Sequence, residues 1–566
     1  MGNRMETTNK KLTAASGFLK QGSILAVASI LVRMIGLLYR IPMANIIGSE
    51  GNGIYSSAYE IYNILLIISS YGMPMAVSKM VSAKCVEKRY KEAYHIFRCS
   101  MIFSICTGGA AALFVFFGAD WLEKNFFKSF YGISIPLRIL APTIFVVAIM
   151  GTLRGLFQGR KTMMPTAISQ IFEQIVNAIV SVSAAFFMMR AHSASAKFSA
   201  WGAAGGTLGT SMGALMALIF LVLIYLLYRP VMKKQQRKDR VSEEMSLGET
   251  YKLILWTAIP IILSQTVYQL SGIIDVSLIN WVLLGKGISG TQISTWQGIY
   301  STQYRTLVSV PIAVSTAIAS SMVPSLVAAS FHAYSSVNSG SSVSRTRCKV
   351  NLAVKFNMII AFPSAVGMAV LAVPIIHSIY PSMEYRTGSM MMMIGSSCII
   401  FYALSTVTSG VLQSIDQMRL PVIHSLISLI VHIVLVWGLM RFTGLGVYAL
   451  VIGNVTYPLL VCVLNGYSVS AHLGFKQEIT KCFCVPFLSS VIMGIVTFVV
   501  FRLFHVLTKS NVISLLPALV AAVCVYFVLV LKLKGLTREE LYEFPFGRKM
   551  SIVADKLHLL EEEFEA

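Results

Sequence analysis

Charge is scarce in this chain. Of 566 residues only 12% are Asp, Glu, Lys or Arg, about half the roughly 25% of a soluble globular protein. So few charges cannot cover a water-facing surface, which excludes a soluble enzyme or binding domain as the body of the molecule. Acid is the rarer sign: 24 Asp and Glu stand against 46 Lys and Arg, a formal net charge of +22. Catalytic motifs are missing too. The chain has no P-loop, no H-E-x-x-H and no G-x-S-x-G, and no long polar region that could fold as a catalytic domain. The nine Cys are scattered, Cys482 and Cys484 being the one close pair, and no metal-ligand spacing occurs. A cleavable leader is not expected. The start, "MGNRMETTNKKLTAASG", is polar, and the first apolar run is too long for a signal peptide's apolar core.

What the chain has is apolar length. It is 56% hydrophobic, with a mean hydropathy of +0.72. A membrane-spanning helix needs roughly 20 mostly apolar residues. About fourteen such stretches can be marked, centred near residues 33, 67, 106, 146, 177, 215, 267, 312, 365, 400, 431, 457, 493 and 522. Lys and Arg concentrate between spans on one side, as in "RPVMKKQQRKDR" (229–240). The positive-inside rule then predicts a multi-pass plasma-membrane protein with both termini cytoplasmic. The same placement accounts for the basic balance, because such loops meet anionic lipid headgroups. Anionic membrane lipids are therefore expected partners, and nucleic acid is not.

Two phrases occur twice. "GIYSSAYEIY" at 53–62 returns as "GIYSTQYRTL" at 298–307, and "GLFQGRKTMMP" at 155–165 as "GVLQSIDQMRLP" at 410–421. The spacing predicts an all-α integral membrane protein made of two six-helix lobes. A parallel repeat of this kind is related by a pseudo-two-fold axis along the membrane normal. The first lobe with its basic linker covers 1–240 and the second 241–475. Spans thirteen and fourteen (476–535) have no partner in the repeat. The cytoplasmic tail, 536–566, is expected to be a short solvated helix or disordered. Two equivalent lobes around one axis predict a transporter rather than an enzyme, with its substrate between the halves. "GAAGGTLGTSMGALMAL" (202–218) carries small residues at every fourth place, a spacing for close helix packing.

Ionisable side chains inside spans cost roughly 2.5–3.5 kcal/mol each, so each one is a functional candidate. Arg33 and Arg40 are seven residues apart, about two helical turns, and share a face. Arg305 enters from the second copy of the repeat. Guanidinium groups pair bidentately with phosphate oxygens, so the three suit an anion with several oxygens. Glu60, at the place equivalent to Arg305, sits among Tyr55 and Tyr59 and is expected to neutralise an arginine when no ligand is bound. Tyr55, Tyr59 and Gln303 complete the expected substrate site. Asp275, alone in the middle of the seventh span, is expected to take a cation or a proton. Glu173 is expected to form helix-packing hydrogen bonds, and His432 reads as a bonded core histidine. No metal or cofactor is expected, with Na+, H+ or the membrane potential left open as driving force.

With these residues in view the chain resembles the MOP exporter superfamily, and within it the polysaccharide-biosynthesis branch. That branch holds the stage V sporulation protein B group and the MurJ-type lipid II flippases of Gram-positive bacteria. The stretches that carry the resemblance are Arg33 in the first span, "GIYSSAYEIYNILLIISSYGMPMAVSK" in the second, and "GLFQGRKTMMPTAISQIFEQ" at 155–174. It implies a bacterial plasma-membrane flippase moving an undecaprenyl-pyrophosphate-linked glycan, foremost lipid II, to the outer leaflet, with the cell-wall synthesis machinery as a partner. Another lipid-linked polysaccharide, or a drug in the manner of cation-coupled MATE exporters, is the alternative cargo. The resemblance also implies that the family's cavity arginines fall on Arg33 and Arg305, with Arg40 near a third, and its seventh-span acid on Asp275.

Overall fold

The computed structural model describes residues 2–67, 69, 72–160, 162–241, 245–316, 339–415, 417–475, 477–543 and 547–556. They are helical, with no strand among them. Among the described residues ten helices are long and apolar enough to cross a membrane, and eleven if one pair bent by 44° counts as a single span. The expected span near 312 runs partly outside the described residues, and for the span near 267 the backbone alone is described at 260, 261 and 263–269. The all-helical membrane fold expected from composition is thus the observed one. The chain divides into two compact units, Met1–Gly298 and Ile299–Ala566. The division falls inside the second copy of the repeated phrase.

The first unit contains α1 (Gly2–Leu66), α2 (Met73–Val86), α3 (Tyr90–Asn125), α4 (Ser134–Gly159), α5 (Met164–Ala191), α6 (Phe198–Lys238), α7 (Leu247–Gly285) and most of α8 (Gly290–Ile299). α1 is two helices joined at a kink. Gly48 sits there at φ 70°, a region closed to most side chains. Asn52 answers the backbone groups the kink releases: its Nδ2 donates to the carbonyls of Gly48 (2.7 Å) and Ala44 (3.0 Å). α7 begins with a capping box, Ser246 Oγ accepting from the Glu249 amide at 3.2 Å and Glu249 returning the bond at 3.1 Å. α2, α3, α4, α6 and α7 bury one apolar cluster that includes Met73, Val77, Ile96, Phe97, Leu153, Phe157, Leu221 and Ile254.

In lipid, helices gain nothing by hiding apolar surface from one another, so close packing depends on small residues. The α5–α6 pair uses the stripe expected from sequence. Gly205 lies against the Ala185 backbone, Gly209 against Ser181 and Gly213 against the Glu173 carbonyl. The repeated phrases make a second close contact. A Cβ at Gly53 would run into the Ser294 carbonyl, and one at Gly298 into the Ser49 carbonyl. Ser294 Oγ also donates to the Glu50 carbonyl at 3.0 Å. The contact is reciprocal: each copy presents its glycine to the other's serine four residues upstream of the partner glycine.

The second unit begins with a π-helical turn (Tyr300–Arg305) and helix 306–316. It continues with α9 (Ser339–Val370), α10 (Ala372–Ile379), α11 (Arg386–Gly395), α12 (Cys398–Ser414), α13 (Arg419–Phe442) and α14 (Tyr448–Leu473). A second π turn (Thr480–Cys484) leads into α15 (Val485–Thr508), followed by α16 (Asn511–Lys532), α17 (Arg538–Glu543) and α18 (Gly547–Lys556). α11 and α12 are the bent pair.

The described part of the tail is packed along one side rather than wholly solvated or loose, contrary to the sequence expectation. Leu536, Leu541 and Ala554 are buried with Val530 and Leu531 of α16 and with Phe356 and Ile359 of α9. Lys355, 2% exposed, joins Glu540 at 2.7 Å. Arg538 ties α17 to α18 through Asp555 at 2.8 Å. Apolar residues at 536, 541 and 554 are spaced among charges too sparsely to announce a buried face, and among the described charges Glu540 faces Lys355 and Arg538 faces Asp555.

Candidate functional site

The charged and aromatic side chains of the first unit's candidate site gather where the two halves of α1 meet α5 and α7. Tyr39 accepts a hydrogen bond from Asn177 Nδ2 at 3.1 Å, which ties α1 to α5. Arg40, one residue on, lies among Tyr39, Tyr55 and Tyr59. The three tyrosines of the first repeated phrase form a ladder. Tyr55 and Tyr59 stack with ring centroids 5.7 Å apart, and Tyr59 meets Tyr62 at 5.4 Å. Arg40 Nε and Tyr55 Oη are buried with no hydrogen-bond partner among the described residues. A buried donor left in that condition costs about 1–3 kcal/mol, so the pair is incomplete without a further acceptor.

Glu60, between Tyr59 and Tyr62 in the sequence, is half-buried. Its carboxylate fills the space that Gly272 leaves on α7, with Oε1 3.0 Å from where a Cβ would stand. Asp275 follows three residues later on α7 and is 5% exposed. Glu60 and Asp275 both have interaction partners. Arg33 is exposed. Glu173 pairs with Arg154 of α4 at 2.8 Å, and Arg154 Nε donates to Ser169 Oγ at 3.1 Å. Glu173 thus joins α4 to α5. Arg154 escapes a reading by spans because it sits near the end of α4, where a basic residue looks like a loop boundary.

In the second unit Arg305 is half-buried at the end of the π turn. Gln303, expected to touch substrate, is fully buried instead, its Nε2 donating to the Glu384 carbonyl at 2.7 Å. Tyr304, also fully buried, donates to the Gly395 carbonyl (3.1 Å) or Asn454 Oδ1 (3.0 Å). These two side chains anchor the turn inside the unit. His432 is buried in α13, edge-on to Tyr457 at 6.1 Å. Sequence reasoning also passed over a buried network linking α12, α13 and α14. In it His424 Nδ1 meets Asn465 Oδ1 at 2.7 Å and Asn465 Nδ2 donates to Ser409 Oγ at 2.9 Å. Among the described residues no three His, Cys, Asp or Glu side chains converge as metal ligands would.

The site therefore brings Arg40 together with Tyr55 and Tyr59, and sets Glu60 against the helix that carries Asp275. Spanning helices packed in two units, with charged side chains placed inside them, define a multi-pass helical membrane protein. Solved structures with this fold include the lipid II flippase MurJ in an inward closed conformation. That match has a TM-score of 0.64 and 16% identity, over 89% of this chain and 97% of that one. An inward-facing multidrug resistance MATE family transporter of the MOP superfamily matches with a TM-score of 0.59 and 13% identity, over 78% of this chain and 95% of that one. Residues 18–330 match the polysaccharide biosynthesis protein family, and the chain belongs to it. Among curated relatives, "Lipid II flippase MurJ" of Bacillus subtilis (strain 168) is 23% identical over 502 residues, 85% of this chain and 88% of the relative. "Stage V sporulation protein B" of the same organism is 23% identical over 547 residues, 95% of this chain and 100% of the relative.

Proposed function

We propose that the protein is a flippase of the bacterial plasma membrane that carries an undecaprenyl-pyrophosphate-linked glycan, foremost lipid II, from the inner to the outer leaflet. The observation that carries this reading is Arg40, enclosed by tyrosines with a buried Nε that has no acceptor among the described residues. A cation in that condition is ready for an anion, and a pyrophosphate offers several oxygens to a planar guanidinium. Similarity over 85% of this chain to a relative named lipid II flippase supports the substrate class. The tyrosine ladder beside Arg40 supplies flat faces suited to sugar rings. Two six-span repeats rocking about the site would give alternating access, with both termini cytoplasmic and spans thirteen and fourteen outside the repeat. Arg33 and Arg305 are assigned to the same pyrophosphate, Glu60 to the empty state and Asp275 to coupling with a cation or proton. The chain would hand its cargo to the cell-wall synthesis machinery, in growth or in sporulation.

A cation-coupled drug exporter is the second reading, favoured by the likeness to a MATE fold. It fits less well, because a cationic drug is repelled by arginines within the spans. The deciding experiment replaces an essential lipid II flippase with this chain and detects lipid II leaflet by leaflet. Growth with lipid II reaching the outer leaflet is expected. Loss of growth with a correctly inserted protein, together with export of a cationic dye, would overturn the proposal in favour of the second reading.

A further inference from the structure

The repeated phrases share spacing but not helical geometry. Glu60 follows Gly53 by seven residues and Arg305 follows Gly298 by seven. In the first copy the helix is regular through Leu66. Seven residues of α-helix are about two turns, so Glu60 lies close to the face of Gly53. In the second copy residues 300–305 form a π turn. A π turn closes its hydrogen bond one residue later than an α turn, which swings every following side chain by about 100°. Arg305 therefore heads away from the face that its place in the repeat would give it.

Two sets of contacts hold the turn. On one side Gln303 and Tyr304 are bonded into the unit as described, and the Thr302 carbonyl accepts from Tyr380 Oη at 3.1 Å. Three consecutive residues are pinned, a wider arc than one face of a regular helix presents. On the other side Thr306 closes the turn. Its backbone N–H is bonded to the Ser301 carbonyl, and its Oγ1 donates to the same oxygen at 2.9 Å. One side chain thus doubles the hydrogen bond that defines the π register. The first copy has no such lock, its segment being an uninterrupted α-helix to Leu66.

We propose that Thr306 is a positioning residue: its hydroxyl holds the π turn that aims Arg305. The functional weight of this rests on the reading of Arg305 as a group that meets the substrate's pyrophosphate. The geometric part does not. The test uses the full chain with its native cysteines replaced. Arg305→Cys is labelled with a water-soluble thiol reagent, alone and combined with Thr306→Val or Thr306→Ser. Flipping of lipid II in vesicles is measured for the Thr306 variants with Arg305 present, and for Arg305→Ala. Thr306→Val, which keeps the shape and removes the hydroxyl, should change the labelling rate about fivefold and slow flipping about as much, the worth of one hydrogen bond. Thr306→Ser should restore both, and thermal stability should stay near the parent's. Labelling and flipping both unchanged in Thr306→Val would overturn the proposal. Altered labelling together with full flipping by Arg305→Ala would uphold the positioning role and overturn the reading of Arg305 as a substrate contact.

Discussion

Lys355 and Glu540 allow a quantitative test of the tail. The Lys355 side chain is 2% exposed and Glu540 23%. Glu540 Oε1 lies 2.7 Å and Oε2 3.0 Å from Lys355 Nζ. Glu540 also accepts the Thr537 amide at 3.0 Å while its own amide donates to Thr537 Oγ1 at 3.3 Å, a capping box that starts α17. Glu540→Gln keeps that box, since an amide oxygen accepts equally well, and removes only the charge. Removing one partner of a fully buried pair costs about 3–5 kcal/mol. Water reaches one side of Glu540, so the expected loss here is about 2–3 kcal/mol. Lys355→Met keeps the apolar stem and leaves Glu540 where water can solvate it, so it should cost under about 1 kcal/mol. The double variant has no buried charge and should recover most of the loss, because a buried pair and an apolar substitute are often nearly equal in stability. Unfolding in detergent, followed through the protein's six Trp, yields the double-mutant cycle. A coupling energy of about 2 kcal/mol is expected. Strictly additive losses would refute the pairing and return the tail to a loosely held segment.

Three further outcomes are expected. Gly53→Ala and Gly298→Ala each press a methyl onto a carbonyl of the opposing copy and should each cost about 1–3 kcal/mol. The two together should cost less than the sum, since opening the crossing once relieves both; thermal melts of the three variants decide, and additive losses would count against the shared contact. Arg40→Ala and Arg305→Ala should abolish lipid II flipping by inserted protein, and Arg305→Lys should remain poor because an ammonium lacks the planar fork; full activity of both alanine variants would remove the anion site. Asp275→Asn should erase whatever dependence flipping shows on sodium, pH or membrane potential, and a variant that keeps all three dependences of the parent would make Asp275 structural.

Composition alone declared a helical membrane protein, because a chain with this little charge has nowhere else to fold. The small-residue stripe of α6 was legible for a similar reason: glycines at every fourth place have one use in lipid. Finer features were not. A π turn is a one-residue slip in backbone bonding, and no residue type in "YSTQYR" announces it. Gln303 looks like a polar residue beside a functional arginine, yet its Nε2 donates to a carbonyl 81 residues away. Arg154 and Lys355 each lie near the end of an apolar run, where a basic residue is ordinarily read as the membrane boundary. Their partners, Glu173 and Glu540, are 19 and 185 residues distant, and pairing over such intervals leaves no local pattern.

The reciprocal crossing of Gly53 and Gly298 has the form of an isologous contact, the kind found between identical subunits related by a two-fold axis. In a true homodimer every substitution appears twice, so an acid placed near such an axis faces another acid, and a base another base. Joining both copies in one chain lifts that restriction. Glu60 and Arg305 stand at the same place in their repeats and carry opposite charges, a combination closed to two copies of one gene product. The glycines and serines of the crossing remained alike because each still has to admit the other. The positions beyond them were free to part company.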